Sequence, residues 1–149
     1  TALKYKYYGI TDCFAAQRIS GGPNGCKYGC IGFGSCAAYC PQNAISIKGG
    51  LAKVNENLCT GCGGCVKQCP ANVLELVPRD TKIYVKCKNA DKGAETRKVC
   101  ESGCISCGIC EKNCPSGAIG LDGVAKIDYS KCTECRICAE KCPKKVIKA

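Results

Sequence analysis

Apolar and polar residues alternate along several short stretches of the chain. Alternation with a period of two predicts β-strands, because successive side chains of a strand point to opposite faces. The turn segments Lys48-Gly49-Gly50 and Asp122-Gly123, which lie between neighbouring stretches, predict two β-hairpins. The predicted strands are 44–48, 51–55, 73–77, 82–86, 118–121 and 124–128.

The predicted helices are equally short. They are expected on the approach to each Cys-Pro pair, for example around 63–69 and 136–142. With two phenylalanines and no tryptophan or methionine in 149 residues, the chain cannot bury a large conventional core. These features predict a loop-rich α+β fold in which another interaction supplies part of the folding energy.

Cysteine is the most unusual component, at 19 of 149 residues. Such a density is typical of small secreted disulfide scaffolds and of metal-cluster proteins. The odd cysteine number and the lack of a secretory segment before Cys13 favour a metal. The absence of histidine excludes a histidine general base, a Ser-His-Asp triad and histidine-ligated zinc or haem.

Three cysteine runs share the spacing C-x2-C-x2-C-x3-C and are each followed by proline. In such runs the first three cysteines bind one 4Fe–4S cluster and the fourth binds the neighbouring cluster. One run alone would also fit a zinc site, but three of them indicate iron–sulfur clusters. The runs are Cys59, Cys62, Cys65 and Cys69; Cys104, Cys107, Cys110 and Cys114; and Cys132, Cys135, Cys138 and Cys142.

The chain is an internal duplication. Residues 29–45 align with 103–119 without a gap at an offset of 74, and 52–62 match 125–135 at an offset of 73. We therefore expect tandem, bacterial-type two-cluster ferredoxin units. The first unit is predicted over 1–79 and the second over 80–149.

A fourth cysteine run is irregular, because Phe33 stands where the alignment places Cys107. An upstream cysteine must replace the missing ligand if this site holds a four-iron cluster, and Cys26 is the nearest. The expected sets are Cys26, Cys30, Cys36 and Cys69; Cys40, Cys59, Cys62 and Cys65; Cys104, Cys107, Cys110 and Cys142; and Cys114, Cys132, Cys135 and Cys138.

Three cysteines, Cys13, Cys87 and Cys100, remain without a role, and three interpretations are open. They could be buried free thiols that pack as small apolar residues. They could ligate a fifth cluster, with Cys26 or a residue outside this sequence as the fourth ligand. A disulfide such as Cys87–Cys100 is the third interpretation, although low-potential ferredoxins work in reducing compartments. The expected cofactors are thus four 4Fe–4S clusters, with a fifth left open.

The formal net charge of +10 counts every cysteine as neutral. A cluster with its four thiolates carries about −2, so four clusters bring the total to about +2. The basic residues therefore serve mainly to balance cluster charge, and a residual basic face for an acidic redox partner is the alternative. The lysines form no aromatic-interleaved stripe, which argues against nucleic-acid binding.

The sequence indicates neither a membrane span nor a catalytic site of its own. No apolar stretch approaches the ~18–20 residues that cross a bilayer. No glycine fingerprint of a flavin or dinucleotide site follows a predicted strand. An electron-transfer role without a bound substrate is therefore expected.

Several segments together resemble the B subunit of the Rnf complex, of the clostridial and thermophile type. The resemblance covers nearly the whole chain. It is carried by YYGITDCFAA (7–16), GGPNGCKYGCIGFGSCAAYCP (21–41), CTGCGGCVKQCP (59–70), CKNADKG (87–93) and GCISCGIC (103–110). Family members also carry an N-terminal membrane helix and a further cysteine-rich domain, so the resemblance implies that this sequence is the ferredoxin-like part of such a subunit.

The resemblance also implies a role. The Rnf complex couples electron transfer between ferredoxin and NAD to Na⁺ or H⁺ translocation, and its B subunit is the proposed entry point for ferredoxin. This implies ferredoxin and other membrane subunits as partners, on the cytoplasmic side of the membrane. The alternatives from the residues alone are a soluble polyferredoxin, an iron–sulfur subunit of another membrane oxidoreductase or hydrogenase, and a non-redox zinc module.

Overall fold

The computed structural model describes all residues from Thr1 to Ala149. The chain divides into two compact units, one formed by Ala2–Leu76 and the other by Val77–Ala149 together with Thr1. The division falls beside the boundary that the duplication places between residues 79 and 80.

The two units together are built from helices of four to seven residues and strands of two to four. The elements of the first unit are α1 (Cys13–Arg18), α2 (Ser35–Tyr39), β1 (Ile45–Lys48), β2 (Leu51–Val54) and α3 (Gly64–Lys67). Those of the second are β3 (Tyr84–Val85), α4 (Gly93–Val99), α5 (Ile109–Lys112), β4 (Ile119–Asp122), β5 (Val124–Ile127), α6 (Ile137–Lys141) and β6 (Ile147–Lys148). The expected α+β class, with short elements and long loops, is confirmed.

Both predicted hairpins form. Strands β1 and β2 pair in antiparallel register from Ile45 opposite Val54, and β4 and β5 pair from Ile119 opposite Ile127. The first turn uses two glycines with positive φ, and the second uses Gly123, also with positive φ. Glycine suits these turns because it has no Cβ to clash in the left-handed region.

The strand predicted at 73–77 does not form, and the prediction at 82–86 shrinks to the two residues of β3. In the second unit β3 pairs with β6, whose counterpart in the first unit lies at residues 74–75. The counterpart of β3 lies at residues 10–11, immediately before Asp12, which caps helix α1. Because the first unit offers no extended partner there, residues 73–77 stay outside any sheet.

Helices α1 and α4 were not predicted from the sequence. They lie at different positions within the segment that precedes the first cysteine loop of each unit. Helix α1 begins at Cys13 because the Asp12 side chain accepts a hydrogen bond from the backbone N–H of Ala15 at 2.8 Å. The equivalent of Asp12 in the second unit is Lys86, which cannot cap a helix in this way. Helix α4 instead covers Gly93–Val99, and its equivalent in the first unit, ISGGPNG (19–25), is too rich in glycine and proline to be helical.

The apolar core is small and includes cysteines. In the second unit the buried cluster combines aliphatic side chains with three cysteines: Ile83, Cys104, Cys110, Ile119, Val124, Ala125, Cys138, Val146 and Ile147. In the first unit the buried apolar residues are Cys13, Ala16, Cys26, Cys36, Ala44, Ile45 and Ala71. No helix combines the length and apolar character needed to cross a membrane.

All four cysteine loops share one backbone path, marked by left-handed residues at equivalent positions. These have φ between 49° and 83° and fall before the second-cysteine position, before the following helix, and three residues after the last cysteine. In loop order they are Gly32, Gly34 and Asn43; Gly61, Gly63 and Asn72; Ser106, Gly108 and Gly117; and Glu134, Arg136 and Lys145. The irregular loop therefore folds like the three regular ones.

One of these left-handed positions suggests a test of backbone strain. Arg136 has φ of 66°, whereas the three equivalent residues before α2, α3 and α5 are glycines. Because a left-handed non-glycine residue costs about 1 kcal/mol, Arg136→Gly should stabilise the cluster-loaded protein by that order. The midpoint of thermal cluster loss, followed by visible absorbance, should rise by about 2–4 °C.

The control for this change is Arg136→Ala, which removes the side chain but keeps a Cβ in the left-handed region. It should give no gain. Equal stabilisation by both variants would show that the arginine side chain, and not the backbone, was the source of strain.

Candidate metal centres

The clearest candidate centre is a cavity in the second unit lined by Cys104, Cys107, Cys110 and Cys142. Burial, followed by the neighbouring Cys104 and Cys107 thiols, raises the pKa of Cys110 from 9.0 to about 11. Ligation through this thiol therefore requires the loss of a tightly held proton. The other lining residues are Ile105, Gly108, Leu121, Ala125, Pro143, Lys144, Val146 and Ile147.

A second centre in the same unit brings Cys114 to the following cysteine run. The pKa of Cys138 is raised by burial first, and also by the charges of Cys135, Cys132 and Cys114. Cys114 belongs to the preceding run, so its presence here is the crossover that the spacing predicts for a two-cluster unit. Together with Cys142 in the cavity above, it connects the two centres.

In the first unit, the centre formed by the regular run follows the same scheme. The pKa of Cys65 is raised by burial and by the neighbouring thiols of Cys59 and Cys40. Cys40 comes from the preceding, irregular run. Cys62, the remaining member of the expected set, is exposed.

At the irregular centre, the thiols near Cys36 include one that was not expected there. Burial raises the pKa of Cys36 most, and the neighbouring thiols of Cys30, Cys13 and Cys69 raise it further. Three of these four cysteines were expected here, but Cys13 was not. Cys26, the cysteine expected from sequence distance, is buried at a turn in which the Gly29 N–H donates to its backbone oxygen at 3.0 Å.

Each Cys-Pro pair begins a turn that directs the backbone toward a sulfur. The N–H three residues after the cysteine donates to the cysteine carbonyl in all four loops, at 3.0–3.2 Å. In two loops the next N–H reaches the sulfur itself: Val73 N–H donates to Cys69 Sγ and Ala118 N–H to Cys114 Sγ, both at 3.3 Å. Such N–H···S bonds stabilise a ligand thiolate and tune the cluster potential.

Two of the cysteines left without a role, Cys87 and Cys100, have different surroundings in the second unit. The Sγ of Cys87 accepts hydrogen bonds from the backbone N–H of Cys104 at 3.3 Å and of Asn89 at 3.5 Å. Cys100 ends helix α4, and its Sγ lies 3.8 Å from the Ser102 hydroxyl. The cysteines occur as free thiols throughout the structure, including these two.

The donor chemistry fits an iron–sulfur cluster. No group of three or more His, Cys, Asp or Glu side chains converges closely enough to hold a single metal ion. The cysteines of the cavity instead surround an apolar space, as suits a core in which each of four irons is bound by a different thiolate. Aliphatic side chains around that space exclude water, and backbone N–H groups point at ligand sulfurs.

Paired cysteine centres on short loops, with the fourth cysteine of each run placed at the neighbouring centre, define an iron–sulfur protein of the two-cluster ferredoxin class. The family model described as the 4Fe–4S dicluster domain matches residues 29–73, 58–118 and 103–146. The chain belongs to this family, and its cofactors are 4Fe–4S clusters.

Three curated relatives are B subunits of one kind of complex. The chain is 48% identical over 126 residues, 83% of its length, to the B subunit of the Na⁺-translocating ferredoxin:NAD⁺ oxidoreductase complex of Acetobacterium woodii. It is 47% identical to the B subunit of the proton-translocating counterpart of Clostridium ljungdahlii, over 64% of this chain. It is 42% identical, again over 64%, to the B subunit of the ion-translocating oxidoreductase complex of Methanosarcina acetivorans. The chain spans 34–38% of the length of these relatives.

Among solved structures, the chain is similar to part of the formate dehydrogenase–heterodisulfide reductase–formylmethanofuran dehydrogenase complex of Methanospirillum hungatei. The similarity covers 80% of this chain and 51% of the other, with 24% identity and a TM-score of 0.31. A likeness at that TM-score carries no conclusion about function.

The apolar lining of the cavity suggests a test of water exclusion. Val146 is buried and lines the cavity, so Val146→Thr would add one hydroxyl with little change in volume. A polar group stabilises the more negative, reduced cluster. One reduced-cluster EPR signal should therefore move to a less negative potential in a redox titration, by tens of millivolts at most within the class range of roughly −700 to +450 mV.

Val124 provides the matched control, because it is equally buried in the same core but does not line the cavity. Val124→Thr should leave every potential unchanged. Equal shifts in both variants would point to a general loosening of the core and contradict local exclusion of water.

Proposed function

We propose that this chain relays electrons from or to ferredoxin as part of an ion-translocating ferredoxin:NAD oxidoreductase complex of the Rnf type. The observation that supports the proposal is that Cys142, from the last cysteine run, lines the same cavity as Cys104, Cys107 and Cys110 of the preceding run. This crossover keeps two centres within one small unit, as electron transfer between clusters requires. Each 4Fe–4S cluster supplies a one-electron redox centre when bound.

The proposed clusters number four, two in each unit. Three of the proposed ligand sets contain all four standard cysteines: Cys40, Cys59, Cys62 and Cys65; Cys104, Cys107, Cys110 and Cys142; and Cys114, Cys132, Cys135 and Cys138. The second cysteine of each regular run, namely Cys62, Cys107 and Cys135, is exposed. These exposed cysteines provide points at which an electron can enter or leave the clusters.

The proposed partners are based on the names of the similar B subunits and on the excess of basic residues in this chain. Subunits with 42–48% identity are named for complexes that translocate ions, two of them for ferredoxin:NAD⁺ oxidoreductases. Ferredoxins are commonly acidic, and the 22 lysines and arginines of this chain exceed its 12 acidic residues. We therefore propose ferredoxin and other membrane subunits as partners, with the chain on the cytoplasmic side of the membrane.

The number of clusters is tested by iron and acid-labile sulfide analysis of the anaerobically purified chain. Four clusters predict about sixteen iron and sixteen sulfide per chain, with magnetically coupled EPR signals after reduction. About twenty of each would contradict this number and bring Cys87 and Cys100 into a fifth cluster. Zinc without sulfide would overturn the electron-transfer proposal.

The partner is tested by mixing reduced ferredoxin with the oxidised, cluster-loaded chain under anaerobic conditions. In samples frozen at successive times, the reduced-cluster EPR signals of the chain should grow as that of reduced ferredoxin decays. The rate should fall several-fold as salt rises, because salt screens complementary charges. Oxidised ferredoxin is the control and should produce no reduced-cluster signal in the chain. No electron transfer from reduced ferredoxin at low salt would contradict ferredoxin as the partner.

Assembly with membrane subunits separates the proposal from a soluble polyferredoxin. When the full-length subunit that contains this sequence is co-expressed with the other subunits of its complex, it should copurify with them through detergent extraction. A subunit that accepts electrons from ferredoxin but stays free of membrane subunits would contradict the complex and favour the polyferredoxin alternative.

A further inference from the structure

We propose that Cys13, in place of Cys26, is the fourth ligand of the irregular cluster, completing a set with Cys30, Cys36 and Cys69. The inference rests on the proposed iron–sulfur function. It names a ligand that lies 17 residues before the first regular ligand of its loop.

The irregular loop is preformed for a cluster but lacks one thiolate. Its left-handed residues Gly32 and Gly34 match Ser106 and Gly108 of the regular loop, so Phe33 occupies the backbone position of Cys107. The Phe33 ring packs against the Tyr7 ring, with centroids 5.3 Å apart. A fourth ligand must therefore come from another part of the unit.

Hydrogen bonds hold the start of helix α1 against the start of helix α2, which carries Cys36. The backbone N–H of Cys13 donates to the Ser35 hydroxyl at 2.8 Å, and that hydroxyl donates to the Asp12 carboxylate at 2.8 Å. Cys13 is thereby fixed beside the residue that precedes Cys36, and both cysteines are buried. The same Asp12 caps α1, so one carboxylate sets both the helix start and its position.

This arrangement occurs only in the unit that lacks the standard ligand. The positions equivalent to Asp12 and Ser35 are Lys86 and Ile109, which cannot form these hydrogen bonds. The equivalent of Cys13, Cys87, lies outside any helix or strand, and its sulfur accepts the N–H of Cys104. The duplicated cysteine thus lies near the corresponding centre in both units, but only in the first does a helix begin at it.

The backbone at Cys26 is held by a local turn, in which the Gly29 N–H donates to the Cys26 carbonyl. Its duplicate, Cys100, instead follows helix α4 in the second unit. The hydrogen bond at Cys26 therefore spans three residues, whereas those at Cys13 reach the start of the helix that carries Cys36. This difference favours Cys13 as the ligand.

The experiment compares three single variants of the anaerobically purified chain. Cys13→Ala should lose between about one and four irons per chain, because the irregular centre either becomes a three-iron cluster or is lost. A three-iron cluster would give its isotropic EPR signal in the oxidised state. Cys26→Ala and Cys87→Ala, the duplicate of Cys13, should keep the iron content of the unchanged chain.

Rescue distinguishes a ligand from a structural cysteine. Phe33→Cys restores the regular spacing, so the double variant Cys13→Ala/Phe33→Cys should regain the full iron content and lose the three-iron signal. If Cys13→Ala does not accumulate, the double variant decides alone: full iron content supports the inference and reduced content overturns it. Iron loss in Cys26→Ala with full iron in Cys13→Ala also overturns it.

The outcomes for the inference and for the proposed function are separate. An unchanged chain that purifies without acid-labile sulfide would defeat the iron–sulfur function itself. A chain with its full set of clusters that keeps them all in Cys13→Ala would defeat only the choice of Cys13.

Discussion

The convergence of four cysteine thiols on one small space is the interaction on which the rest of this fold depends. Buried aliphatic residues are few, and in the second unit three of the nine residues of the buried cluster are cysteines. Metal ligation can supply the folding energy that such a core lacks. The constraint also explains the repeated left-handed residues, because a two-residue gap between ligands requires a tightly curled backbone.

The duplication shows which features that constraint fixes and which it leaves free. The cysteine loops, the Cys-Pro turns and the β-hairpins recur in both units. The loops and turns recur because they position the cysteine ligands. The linker before each first loop is free to diverge, and it holds α1 in one unit and α4 in the other. Capping by Asp12, absent at Lys86, decides where the first of these helices begins.

Much of the fold follows from local sequence, for identifiable reasons. The hairpins were predictable because alternation and glycine turns act over a few residues. The strand expected at 73–77 was wrong because a strand needs a partner, and only the second unit provides one, in β3. Helices α1 and α4 were missed because six or seven residues are too few for a clear helical period.

The sequence by itself determined the cofactor class and the duplication, and it predicts the regular ligand sets, because cluster ligands lie at fixed short spacings along a loop. Only the tertiary structure shows how Cys13 is held near the irregular loop, because Phe33 stands in place of the local ligand and distance along the chain does not predict distance in space. Cys26 is nearer in sequence, but the hydrogen bonds of Ser35 to Asp12 and Cys13 hold Cys13 against the start of the helix that carries Cys36. A contact made by side chains 23 residues apart leaves no periodic signal from which it could have been foreseen.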